Sequence, residues 1–223
     1  MRFSVFFISL VFSITYSSAQ NYSRIRADYT IKEKAESYSS LSKGTAYYDK
    51  FNKKLVYDTS FPEKEIWVLK DTSVIKLIEG KVAERIVAPA IPEFSIYHIA
   101  LNGNLLNYGL KDSYYKLHKV EKEGDLIIAT WKPDEKLSNI MGNVIISSKN
   151  KILQAIIIYN TKGEIISKQN YKSHININGL IFPTEIIEVV YTPEGNKYKQ
   201  TLYTNIKVNE LINEKMYNYP VTF

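Results

Sequence analysis

Three histidines, His98, His118 and His174, and no cysteine are what this 223-residue chain offers for metal or nucleophilic chemistry. Metal sites gather His, Cys or carboxylate ligands at short spacings, and these histidines lie far apart. Without cysteine there is no thiolate nucleophile, no disulfide framework and no cysteine-based zinc site. The chain also lacks a G-x-S-x-G elbow, a phosphate-binding G-x-x-x-x-G-K loop, a G-x-G-x-x-G turn and an H-E-x-x-H helix. Carboxylate pairs do occur, at Asp134-Glu135 and at Glu121 with Glu123. An acid and base pair must face each other across a cleft, whereas neighbours on a strand point to opposite faces. These acids therefore read as surface charge near turns. The expectation is a non-enzymatic chain with no catalytic residue, no metal and no cofactor.

The aromatics are the richer signal, with 18 Tyr and 9 Phe. Tyr47-Tyr48, Tyr114-Tyr115, Trp67, Trp131, Phe94 and Tyr97 stand out. Such residues line ligand cavities, but strands also prefer them, so composition alone favours ordinary core.

The elements that must position them are mostly strands. Residues 24–32 alternate strictly, with Ile25, Ala27, Tyr29 and Ile31 apolar between charged or hydroxylated neighbours, as a half-buried antiparallel strand does. After a Ser-rich loop at 37–42, the pattern predicts strands at 44–49, 55–60, 65–70, 73–78 and 82–87. Pro92-Glu93 opens a helix, which runs apolar to Leu101 except for Ser95 and His98. With Asn102 these form one narrow polar stripe, where His98 is read as solvent-touching or hydrogen-bonded. A short further turn or two is expected over 105–110. Strands resume at 115–121, 126–131, 144–147, 153–159, 165–175, 180–191 and 197–208, between turns rich in Gly and Asn. Hairpin-length loops at regular spacing mean one antiparallel meander in one domain.

At the N-terminus, Arg2, an apolar run from Phe3 to Ile14, and the small residues Ser17 and Ala19 read as a secretory signal peptide over 1–19, leaving a single β domain over 20–223. The run is too short for a span, which takes about 20 residues. The expected location is the periplasm, exported, soluble and without a lipid anchor. The 29 basic and 23 acidic side chains give a net charge of +6, but the excess is scattered. A nucleic-acid binder concentrates such charge in a patch, so no nucleic-acid partner is expected.

Together these stretches resemble the periplasmic lipoprotein carrier (LolA-like) superfamily. The resemblance rests on the opening strand from Ala27, "GTAYYDKFNKKLVYD" from Gly44, "PEKEIWVLKD" from Pro62 and the proline-flanked helix ending at Leu101. It continues in "GDLIIATWKP" from Gly124 and "NKILQAIIIYNTKGEIISKQNY" from Asn150. The likeness spans residues 27–191 as a whole pattern. It implies a mostly β fold: a single curved antiparallel sheet, an unclosed half-barrel with one or two helices over its concave face. That cavity would shelter lipid or lipoprotein acyl chains. The candidate lining is Tyr29, Ile31, Trp67, Leu69, Phe94, Tyr97 and Leu101, since Tyr29 with Ile31 and Trp67 with Leu69 share faces by alternation.

The chain departs from the family in two places. Only residues 20–23 precede the first strand, so the family's opening helix has no counterpart. Lys-Phe-Asn-Lys at 50–53 stands where the sorting proteins carry a lid-latching Arg-Pro. Two readings therefore remain. One is a non-catalytic carrier of lipid or lipoprotein, which a large empty cavity would favour. The other is an accessory or plug subunit docked to the periplasmic side of an outer-membrane translocon of the type 9 secretion kind.

Overall fold

Alternation builds the first strand, β1 (Arg24–Lys34), with Ile25, Ala27 and Tyr29 buried on one face. A computed structural model describes residues 22–71, 73–87, 95–102, 110 and 114–221. The expected signal peptide, the Pro92-Glu93 helix start and Phe94 lie outside the described residues.

After β1 come β2 (Ser39–Asp49), β3 (Lys54–Phe61), β4 (Glu65–Lys70), β5 (Ser73–Ile78) and β6 (Lys81–Val87), then the helix α1 (Ile96–Asn102). The second run is β7 (Tyr115–Glu123), β8 (Leu126–Pro133), β9 (Val144–Lys149), β10 (Ile152–Tyr159), β11 (Ile165–Ile177), β12 (Leu180–Thr192) and β13 (Gly195–Val208). A short helix, α2 (Glu214–Tyr217), follows. All thirteen strands form one antiparallel sheet in the order β6-β5-β4-β3-β2-β1-β13-β12-β11-β10-β9-β8-β7. Two meanders thus meet at a central seam, where β1 pairs with β13 from Ile25↔Val208 to Lys34↔Tyr198. β6 and β7 remain edges, so the sheet is not closed into a barrel.

The strand pattern expected from the sequence is present throughout. Most ends shift by one or two residues, and one by more: the Ser-rich stretch is strand from Ser39 onward, because β1 runs to Lys34 and Ser39 pairs with it. Long-range pairing overrides the low strand preference of serine there. The β11–β12 turn is a two-residue Asn178-Gly179 link, with φ of 51° and 95°. Positive φ at both positions is what an Asn-Gly hairpin of this twist requires.

The sheet buries both faces. On the concave side one apolar cluster takes in Ile25, Tyr29, Tyr48, Leu55, Leu69, Trp131, Ile156, Phe182 and Tyr203, with α1 lying on it. On the convex side of β2 to β5, Tyr47, Val56, Val68, Ile75 and Leu77 form a second cluster around Tyr217 of α2. The segment after β13 covers that face. Arg24 fastens it through ion pairs to Asp49, at 2.7 Å, and to Glu214, and its guanidinium lies 4.9 Å from the Tyr217 ring centre.

Candidate functional site

Seven residues cannot hold a helix by propensity, so α1 depends on what it buries. Ile96, Tyr97, Ile99 and Leu101 are all buried. Each such side chain contributes about 1.5–3 kcal/mol relative to exposure. Tyr97 is the deepest: its ring centre lies 6.4 Å from Tyr48, 6.4 Å from Tyr57, 6.0 Å from Phe182 and 5.7 Å from Tyr203. Tyr29 joins the cluster through Tyr57 at 5.4 Å, edge to face. Under Tyr97, then, the concave face is filled by the protein's own rings. Burial raises the Tyr97 and Tyr57 phenols well above their ordinary value. The Tyr97 hydroxyl makes no hydrogen bond of ordinary geometry, and Tyr203 is the group that acts on it most after burial itself.

Polar ties anchor α1 at both ends. Ser95 caps it, its Oγ accepting from the His98 backbone N–H at 3.2 Å. The polar stripe expected on this helix turns inward rather than to solvent: His98 and Asn102 are both buried. His98 Nδ1 and the Tyr48 hydroxyl are 2.7 Å apart, and Asn102 donates to the His98 carbonyl at 2.8 Å. Burial, then the charges of Lys53 and Lys50, lower the His98 pKa to about 4, so the ring is neutral at pH 7. Lys50 donates to the Leu101 carbonyl at 3.3 Å, at the negative end of the helix. The β2–β3 turn is thereby tied to the C-terminal end of α1.

Of the residues proposed from sequence, Tyr29, Leu69, Tyr97 and Leu101 are buried in this one cluster, with Ile31 and Trp67 packed against it. Trp67 sits at a polar rim. Its Nε1 donates to Glu65 at 2.7 Å, Lys76 lies 5.0 Å from its ring centre, and Lys76 and Glu65 form an ion pair at 2.6 Å. Tyr29 donates to or accepts from Thr59 Oγ1 at 2.8 Å. Gly44 makes room for that hydroxyl, since a Cβ there would stand 2.7 Å from it and 2.2 Å from the Asp58 carbonyl oxygen. Farther along the same face Glu188 is buried: desolvation pushes its carboxyl up, but Lys199 at 2.5 Å and donors from Gln169 and Ser167 outweigh it and hold the pKa low. Tyr48, Tyr57, Phe182, Tyr203 and Lys50 were not among the sequence candidates. The period-2 pattern that placed Tyr29 also places Phe182 beside Leu180 and Tyr203 beside Thr201 on the inner face.

An apolar cleft of about 130 Å³ opens between α1 and the β9–β12 hairpins, lined by Ile96, Ile99, Ala100, Ile152, Leu153 and Leu180. Sites for drug-sized ligands run to about 300–1,000 Å³, so this cleft admits the tip of a chain and no more while α1 lies in place. A wider, open groove of about 520 Å³ lies at the other end of the sheet, between Lys132–Pro133 and Asn160–Gly163. Among the described residues no group of His, Asp and Glu is arranged to hold a metal ion, and no helix is long and apolar enough to cross a membrane.

No protein-family model matches the chain, and no curated protein is similar to it in sequence. Solved structures are similar in fold. A LolA superfamily protein from Nitrosomonas europaea matches with a TM-score of 0.61 at 15% identity, over 87% of this chain and 90% of that one. A putative outer membrane lipoprotein-sorting protein domain from Vibrio parahaemolyticus matches with a TM-score of 0.64 at 12% identity, over 88% and 90%. A DUF1329 family protein from Desulfovibrio piger matches with a TM-score of 0.65 at 12% identity, over 88% and 90%. The fold is LolA-like.

Proposed function

We propose that this chain is a non-catalytic binder of lipid or lipoprotein acyl chains, working in the periplasm after export. One observation supports this most: an apolar concave face lies under a helix of only seven residues. The rings of Tyr97, Tyr57, Phe182 and Tyr203 occupy the place an acyl chain would take, so binding requires α1 to lift and the chain to replace Tyr97. Burying ten methylenes gains about 8 kcal/mol before the cost of association, of the same order as the burial that α1 gives up on lifting. The proposed lining is Ile31, Leu69, Leu101, Tyr29 and Trp67, with Phe94 from the segment before α1. Mass spectrometry of the purified protein without denaturation should then find copurified lipid, and polar substitutions at Ile31 and Leu69 should abolish it. Lipid-free wild-type protein that also takes up no fatty acid would end this reading.

A second reading is a non-enzymatic accessory or plug subunit docked on the periplasmic side of an outer-membrane translocon of the type 9 secretion kind. That reading expects no lipid and a stoichiometric outer-membrane partner in a mild-detergent pull-down.

A further inference from the structure

From the loops at one end of the sheet we infer that this protein docks on an anionic lipid surface. Three large apolar side chains stand in water there: Phe51 is 73% exposed, Leu211 89% and Ile212 63%. They come from two segments distant in sequence, the β2–β3 turn and the stretch between β13 and α2. Hydrogen bonds lace these segments to the start of β1. The Lys50 N–H donates to the Ser23 carbonyl at 2.8 Å, the Asn209 N–H to the Arg24 carbonyl at 3.0 Å, and the Asn52 side chain to Asn218 at 2.8 Å. The apolar side chains thus project from a braced ledge.

The charge around the ledge decides what it faces. Its acids are Asp49 and Glu214, which share Arg24, and Glu210, which lies 3.5 Å from Lys207. Asp71 lies on the adjoining β4–β5 turn. These acids are outnumbered by cations: besides Arg24 and Lys207 the end carries Lys53, Lys70 and Lys215, with Lys50 and Lys54 donating to the Leu101 and Tyr219 carbonyls at 3.3 Å. Lys54 and Lys70 are cross-strand partners, and their crowding, after burial, lowers the Lys54 pKa. Protein interfaces are depleted in lysine, whereas apolar tips ringed by lysine suit the boundary between lipid headgroups and acyl chains. The cleft beside α1 is lined in part by Asn150 and Lys151 of the β9–β10 turn, which is at the same end of the sheet. Docking by this end brings that turn to the membrane side, and the surface stands whether or not the cleft holds a lipid.

The test is cosedimentation of the purified protein with vesicles of phosphatidylethanolamine and phosphatidylglycerol, against vesicles of phosphatidylcholine alone. The wild type should bind the anionic vesicles and be released as salt shortens the screening length. Lys53→Gln with Lys215→Gln should weaken binding about 25-fold, at about fivefold per lysine. Phe51→Ser with Leu211→Ser and Ile212→Ser should weaken it by about two orders of magnitude. These five residues are exposed, so thermal melting of each variant should match the wild type. Ile140→Ser, equally exposed at the opposite end, should bind unchanged. Wild type that ignores anionic vesicles at low salt, or a triple variant that binds as well as wild type, would overturn the inference. So would a concentration-dependent dimer lost in the triple variant without any vesicle binding, which would assign the ledge to a second copy of this chain.

Discussion

Tyr97 combines two opposed contributions in one side chain. Its ring is fully buried among four others, while its hydroxyl is buried without a hydrogen bond of ordinary geometry. A polar group left so costs about 1–3 kcal/mol. Tyr97→Phe should therefore hold or raise stability, whereas Tyr97→Ala should cost about 3–5 kcal/mol, both read from urea denaturation at pH 7. A Phe variant less stable than wild type would mean that the hydroxyl is satisfied. His98 gives a pH dependence of defined sign. Its pKa is about 4 in the fold against about 6.5 unfolded, so the unfolded chain binds the extra proton first. The stability it contributes is complete above about pH 6.5 and is lost as pH falls toward 4, a change of about 2–3 kcal/mol. His98→Gln should flatten the melting temperature across that window. That Tyr29 shares a face with Ile31, Leu69 with Trp67, and Tyr97 with Leu101 was legible from spacing, because spacing fixes faces. That these faces turn inward came with the resemblance. The Tyr48–His98 contact and the Lys76 cap on Trp67 were not legible, since both depend on register between separate strands and the helix.

The segment after β13 behaves as an element although only four of its residues are helical. Tyr217 is fully buried, and Met216, Tyr219 and Val221 pack beside it on the convex face. Ending the chain at Asn209 should uncover Tyr47, Val56, Val68, Ile75 and Leu77, destabilise by about 3–5 kcal/mol and raise binding of an apolar dye. Unchanged melting would show that this segment is only loosely applied. No sequence pattern announced it: four residues are too few for a helical period, and Glu214 and Tyr217 become intelligible only beside Arg24. The strands, by contrast, were legible nearly to the residue, because alternation and Gly/Asn turns are local signals. The extension of β2 back to Ser39 was hidden because its cause, pairing with the far end of β1, is not local.

At the scale of the whole molecule, the half-barrel was legible only through resemblance, since no local pattern states that β6 and β7 fail to meet. The same topology puts the first and last strands side by side at the centre of the sheet, with the two edges next to each other in the chain across α1. The contact order is high at that seam: Tyr29 pairs with Tyr203, and such pairings form slowly. A chain leaves the ribosome N-terminus first, so strands β1 to β6 arrive as a meander whose innermost edge has no neighbour until the last strand is delivered. That waiting edge is a template for wrong pairing. A chain stopped after Thr192 should therefore oligomerise through β1 and β12. A synthetic peptide of residues 195–208 added during refolding should compete and restore monomer, as size-exclusion chromatography would report. The final strand is then the chain's own timekeeper: until it appears, every earlier strand sits in a sheet that cannot be finished.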